Sequence, residues 1–351
     1  MSNYSHKLKV FLSIAASAIC ILIYSSCGNK NKIKTPDVSN IPVDVHFIRF
    51  DQSLMQANGR NYVDVIDSLK ELYPEFFTLY TNNVLNIPLK DSSYNIYDTL
   101  YSYMISDKYM LRLYDSVQHI YSNMSDVEAD VAKAFQYYKY YFPDSTLPQV
   151  FTYIAPFVYQ VVLGDDVIGV ELNMFLGKNF SYYSSFAANL PKYLLYRFRK
   201  ENIPVSIMLM LADGSVTSLG ANASLLDDML YEGKQMYYLD LVLPKVADSV
   251  KIGFNKSQIE WCENNEADIW KFFAGEELLF SKRMQDKQQY IGEAPTTKGM
   301  PEESPGRVAI WMGWQIIRKY MHNNPNITIQ QLFADTASYE ILRKSNYSPG
   351  N

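Results

Sequence analysis

Apolar positions follow one spacing over most of the chain and another in its middle. From Asn61 to Tyr138 they recur at helical intervals, between Val150 and Phe175 they bunch as in strands, and beyond Pro191 the helical spacing returns. Val43–Phe50 alternates, which predicts a strand entering the fold, with His46 on one face as an ordinary structural histidine. Val63, Val65, Ile66 and Leu69 predict a helix over 61–72, and 98–124 supports one or two more. Ser125 with Glu128 three residues on reads as a capping box. Val127, Val131, Ala134, Phe135 and Tyr138 form the apolar stripe of the helix it opens, and Pro143 stops that helix. Runs 150–154, 157–163 and 167–175 are β-branched and aromatic, with Gly164-Asp165-Asp166 as hairpin punctuation between the last two. Such a hairpin either offers an edge to an extended peptide or simply ends the sheet. Further helices are predicted over 193–201, 204–212, 225–241, 256–279, 307–323 and 329–333. No repeat and no later boundary appears. The expected fold class is therefore α+β, predominantly helical with a small antiparallel sheet, as one unit over 41–351 whose helical first part runs to about residue 146.

Composition narrows the function classes. The 351 residues are 48% hydrophobic and 20% charged, enough apolar material for a large core and too little low-complexity sequence for disorder. A net charge of −5 lacks the basic footprint of a nucleic-acid binder, so no nucleic-acid partner is expected. The 29 tyrosines should be mostly half-buried, each ring packed and each hydroxyl reaching water or backbone.

The amino terminus reads as an export signal. Lys7 and Lys9 precede the apolar run Val10–Ile23, which is too short to span a bilayer comfortably, and Ser25-Ser26 lead into Cys27. Tyr24-Ser25-Ser26-Cys27-Gly28 resembles a bacterial lipobox, with Tyr24 where Leu is usual. That implies a signal peptide over 1–26, lipidation of the Cys27 thiol, and membrane attachment through acyl chains. The alternatives are an uncleaved anchor or a plain signal peptide with an incidental cysteine. Removing 26 of 351 residues takes away Cys20, and lipidation blocks Cys27. Cys262 is then the one free thiol, and an internal disulfide is excluded. Residues 27–40, with Lys30, Lys32, Lys34 and Pro36, read as a flexible tether. The basic residues after Cys27 favour a periplasm-facing protein on the cell membrane or outer membrane.

Candidate chemistry centres on 225–238. A Leu/Met stripe there would turn Glu232 and Gly233 toward the core or a cleft. Glu-Gly followed by helix and aromatic residues resembles the second metal-binding helix of gluzincin-type metallopeptidases. In those enzymes that Glu is the third zinc ligand, and a preceding helix supplies two His four residues apart. Here the only histidines are His6, His46, His119 and His322, and the preceding helix is Pro204-Val205-Ser206-Ile207-Met208-Leu209-Met210-Leu211-Ala212. No catalytic residue, metal or cofactor is therefore expected. Asp227-Asp228 with Glu232 could gather carboxylates for a hard cation, or simply be a solvated helix face. Gly313 between Trp311 and Trp314 suggests close helix packing, on a helix that either walls a cleft or belongs to the core.

The lipobox, the stretch Gly169-Val170-Glu171-Leu172-Asn173-Met174-Phe175-Leu176-Gly177, the Tyr231-Glu232-Gly233-Lys234 helix and the Arg307–Tyr320 helix together resemble GldB, a gliding-motility lipoprotein family of the Bacteroidota. The resemblance implies a zinc-peptidase-like fold without its zinc motif, with Glu232 as a vestigial ligand position. It also implies a membrane-tethered envelope component that binds other proteins, among them gliding or type IX secretion components. The other reading is a hydrolase with an atypical site built from Glu232, Glu171 or Asp227.

Overall fold

The β-branched and aromatic runs do become strands. The computed structural model describes residues 34–87, 95–183, 191–275 and 277–350, so the signal and Cys27 lie outside the described residues. Four strands, β1 (Ile48–Arg49), β2 (Gln149–Tyr153), β3 (Val161–Leu163) and β4 (Val167–Glu171), form one sheet in the order β1-β2-β4-β3. Only the hairpin β3–β4 is antiparallel. β1–β2 and β2–β4 are parallel, so the sheet is mixed where an antiparallel one was expected. The reason lies in the connections: only a tight turn can return the chain beside itself at once, and β1 and β2 arrive from longer excursions. The expected strand over 43–50 shrinks to two residues because Phe50 opens a helix over Phe50–Met55.

The principal helices are α1 (Tyr62–Leu72), α2 (Lys108–Ile120), α3 (Ser125–Tyr141), α4 (Ile203–Ala212), α5 (Leu225–Val242), α6 (Lys256–Asn264), α7 (Glu266–Gly275), α8 (Val308–Asn323) and α9 (Ser338–Ser345). The helix expected over 193–201 is instead a pair of short 3-10 turns. The α+β class stands: helices dominate, around one small sheet. Glycine decides the central packing, because α5 and α8 make the most extensive helix contact and cross at Gly233 and Gly313. A Cβ on Gly233 would lie 2.5 Å from the Gly313 carbonyl carbon, so the two backbones meet with no side chain between them.

Under the sheet, Phe76 stacks on Phe151 at 4.2 Å and meets Phe50 edge-on at 5.0 Å. Buried tyrosines pair their hydroxyls with backbone: Tyr80 donates to Ile154 O, Tyr121 to Phe175 O and Tyr183 to Asn173 O. The capping box expected at Ser125 does not form. Glu128 instead accepts the Phe47 N–H at 2.9 Å and ties the incoming chain to α3. Reciprocal boxes do cap α5 (Ser224/Asp227), α6 (Asn255/Gln258) and the Ile329–Ala334 helix (Thr328/Gln331). The tether is shorter than expected at its carboxyl end. Val38 is buried and Gln136 donates to Ile41 O, so 35–40 belong to the folded body. Among the described residues no helix is long and apolar enough to cross a membrane.

Candidate functional site

A groove of about 630 Å³ lies between the hairpin and α4. The segment from Phe157 to Val161 forms one wall, Ser206, Leu209 and Met210 of α4 form the other, and Arg197, Asp213, Gln235 and Glu293 stand around it. α4 is apolar along its length because it packs against α3, α5 and the sheet, which leaves Ser206 as its one hydroxyl at the groove.

Beside the groove sits a knot of half-buried charge. Arg197 grips Glu293 with both terminal nitrogens, at 2.6 and 2.9 Å. Gly253, in the left-handed region at φ 78°, makes room for that arginine, since a Cβ there would lie 2.7 Å from the Arg197 Cδ. Arg307 caps α8, also left-handed at φ 61°, donates to Ile252 O at 3.0 Å, and reaches Glu293 at 3.4 Å. Burial, together with the neighbouring Arg197 cation, lowers its guanidinium to about 10. Glu232 lies within the electrostatic reach of this knot without an ion pair to it among the described residues. Burial raises its carboxyl pKa, the Arg307 cation pulls it down, and Asp213, Asp228 and Glu293 push it up again. The Arg307 cation, itself paired with Glu293, thus acts on this carboxylate from a distance, where a zinc site would need neutral imidazoles.

The remaining sequence-predicted residues are placed elsewhere. Glu171 is fully buried at the end of β4 and accepts four hydrogen bonds, from the N–H groups of Phe157, Val158 and Tyr159 and from the Asn173 amide. It fastens the segment that forms the groove wall, with Phe157 at φ 58°. Asp227 closes the cap of its own helix with Ser224. Asp228 pairs with Lys287 at 3.0 Å. Trp311 and Trp314 are core residues, and Trp314 donates to Asp240 at 2.9 Å. These residues therefore do not assemble a carboxylate cluster around Glu232. Among the described residues no three His, Cys, Asp or Glu side chains are placed to hold a metal ion. The donor set does not fit zinc. Cys262 is buried, and burial raises its thiol pKa far above the reactive range. The sequence reading missed Arg197, Glu293 and Arg307, whose pairings span 96 residues and 14 residues of unpatterned loop.

Burial holds the Glu171 carboxyl at about 7, against an ordinary value of 4.5, even though four donors favour its ionised form. Between those two values the folded chain keeps a proton that the unfolded chain has lost. Stability is therefore expected to fall as pH rises from 4.5 to 7, by an amount on the order of 3 kcal/mol. Urea unfolding at pH 5 and pH 7.5 should show that loss in the wild type and a smaller one in Glu171→Gln. Equal slopes would contradict it.

The fold and site together define an α+β protein with a groove at a sheet edge and a salt-bridged knot beside it. The chain belongs to the family described as "Gliding motility protein GldB", which matches residues 31–349. No curated protein and no solved structure matches the chain.

Proposed function

We propose that this chain is a lipid-anchored envelope protein that works by binding other proteins, not by hydrolysing them. The observation that carries this reading is the set of groups around Glu232. The carboxylate in the vestigial ligand position feels the Arg307 cation, no three metal donors gather among the described residues, and α4 offers apolar side chains and one serine to the groove. A divalent cation there would meet like charge and lack nitrogen donors. The body is then a scaffold, and its kinship to gliding-motility proteins supports a role beside the gliding or type IX secretion apparatus. No specific observation favours the hydrolase reading.

Anchoring follows from the lipobox: acyl chains on Cys27 would hold the body at the membrane without a spanning helix. Cys27→Ser should move the protein from the membrane pellet to the soluble fraction and abolish incorporation of labelled palmitate. A variant that stays in the pellet and still takes up label would contradict the anchor. In-cell cross-linking should join the wild type to specific envelope proteins, and recovery of none would contradict the scaffold role.

A further inference from the structure

The groove between the hairpin and α4 is closed to an added strand. Val161 and Val162 are buried and α4 packs against β3, which leaves Leu163 alone to pair. What the groove offers instead is a set of polar side chains without partners. Gln235, on α5, is only 9% exposed, lines the groove, and makes no side-chain hydrogen bond among the described residues. Gln160, on the hairpin side of the same groove, has its amide nitrogen buried without an acceptor. Ser206 on α4 brings a hydroxyl that is likewise unbonded among the described residues. Buried polar groups in folded proteins are nearly all hydrogen-bonded, so two amides left unpaired along one cavity point to a ligand that completes them.

The rest of the lining sets the class of that ligand. Val158, Met174, Leu194, Leu209 and Met210 make it largely apolar, and the two methionines adapt to an irregular shape. A side-chain amide both donates and accepts, which is the complement of a peptide group. Asp213 is exposed where it lines the groove and stands in no ion pair among the described residues, so a cation complements it. The volume of about 630 Å³ leaves room for a few residues. A glycan would ask for a polar partner at nearly every hydroxyl, and this lining supplies few.

We infer that the groove binds a short apolar polypeptide segment that carries one lysine or arginine. The amides of Gln160 and Gln235 bond its peptide groups, the apolar lining takes its side chains, and Asp213 pairs with its cation. This inference rests on the protein-binding reading above and gives that reading its surface and the chemistry of its partner.

The test uses the full chain in detergent and a fluorescent, end-blocked tetrapeptide of sequence leucine-alanine-lysine-leucine. Fluorescence anisotropy should show saturable binding, weakened tenfold or more when glutamate replaces the lysine or when the central peptide nitrogens are methylated. Gln235→Leu keeps the side-chain volume and removes an amide that nothing described in the fold bonds. Its urea midpoint should therefore equal or exceed that of the wild type while peptide affinity falls tenfold or more. A merely structural Gln235 predicts the reverse, lost stability with unchanged binding, and that result would overturn the inference. Asp213→Lys, at an exposed position, should reverse the preference toward the glutamate peptide whatever becomes of Gln235→Leu. No saturable binding, indifference to methylation, or wild-type binding in both variants would also overturn it. An N-acetylglucosamine oligomer bound in the peptide's place would overturn it in favour of a glycan. Mass spectrometry of the peptide, set beside the in-cell cross-links, separates the two readings. Intact but unbound peptide with the cross-links retained sinks the groove assignment alone, whereas cleavage that depends on the groove supports the groove and sinks the non-catalytic role.

Discussion

Gly313→Val should be among the most damaging single substitutions in the chain, costing about 3 kcal/mol or more at the upper end of overpacking effects. The Cβ would overlap the Met229 carbonyl of α5, and the opposing position is itself Gly233, so no flexible side chain can yield. Both backbones must separate, and the apolar residues on either side, Met229, Leu230, Ile310, Ile317 and others, lose contact together. Against a total of roughly 5–15 kcal/mol, that is a large fraction. Gly275→Ala is the control, since nothing lies within 4 Å of its Cβ position. Urea denaturation should place Gly313→Val far below wild type and Gly275→Ala near it. A Gly313→Val midpoint close to wild type would contradict the crossing.

Asp240→Ala should be comparably severe, at about 3–5 kcal/mol. Asp240 is 5% exposed and accepts from Lys251 at 2.8 Å, from Trp314 at 2.9 Å and from Arg318 twice at 2.7 Å. Truncating it leaves two cations and an indole N–H in the interior, and that desolvation is the damage, more than the loss of one attraction. Arg318 retains Asp248 at 2.7 Å, so the residual charge is only partly met. Asp240→Asn, which keeps the shape and part of the hydrogen bonding, should fall between. Thermal melts of the three forms check the order, and equal stability of Asp240→Ala and wild type would contradict it. Both predictions concern the helix pair that carries Glu232, on α5, and Arg307, at the start of α8.

Local order was legible wherever burial imposes a single period. The stripes of α1, α3 and α5 and the Gly164 turn stand where apolar spacing and turn chemistry put them, because each is decided by neighbours a few residues away. Gly313 was legible too, since a glycine between two tryptophans makes sense only at a close crossing. What failed needed information from afar. Glu128 left its expected cap because the distant Phe47 N–H offered a partner, and β2 paired in parallel with β4 because β3 folds to the outside. The π-helical turns at Leu79–Val84 and Tyr101–Ile105 have no signature in residue type. The site shows the same division. Glu232 was visible as a carboxylate on a largely apolar helix, and the absence of imidazoles on α4 was visible as well. The role of Arg307 was not, because its left-handed backbone at the start of α8 and its pairing with Glu293 are set by tertiary packing. Glu171 was misassigned to a cleft for a related reason: a buried glutamate looks catalytic until the three backbone N–H groups that it anchors are seen.

Elemental analysis of the purified full chain, wild type against Glu232→Ala, tests the central claim most directly. A carboxylate under the influence of the Arg307 cation, with no three-donor cluster among the described residues, predicts far less than one zinc per chain, with no change on substitution. One equivalent of zinc in the wild type that disappears in Glu232→Ala would contradict it.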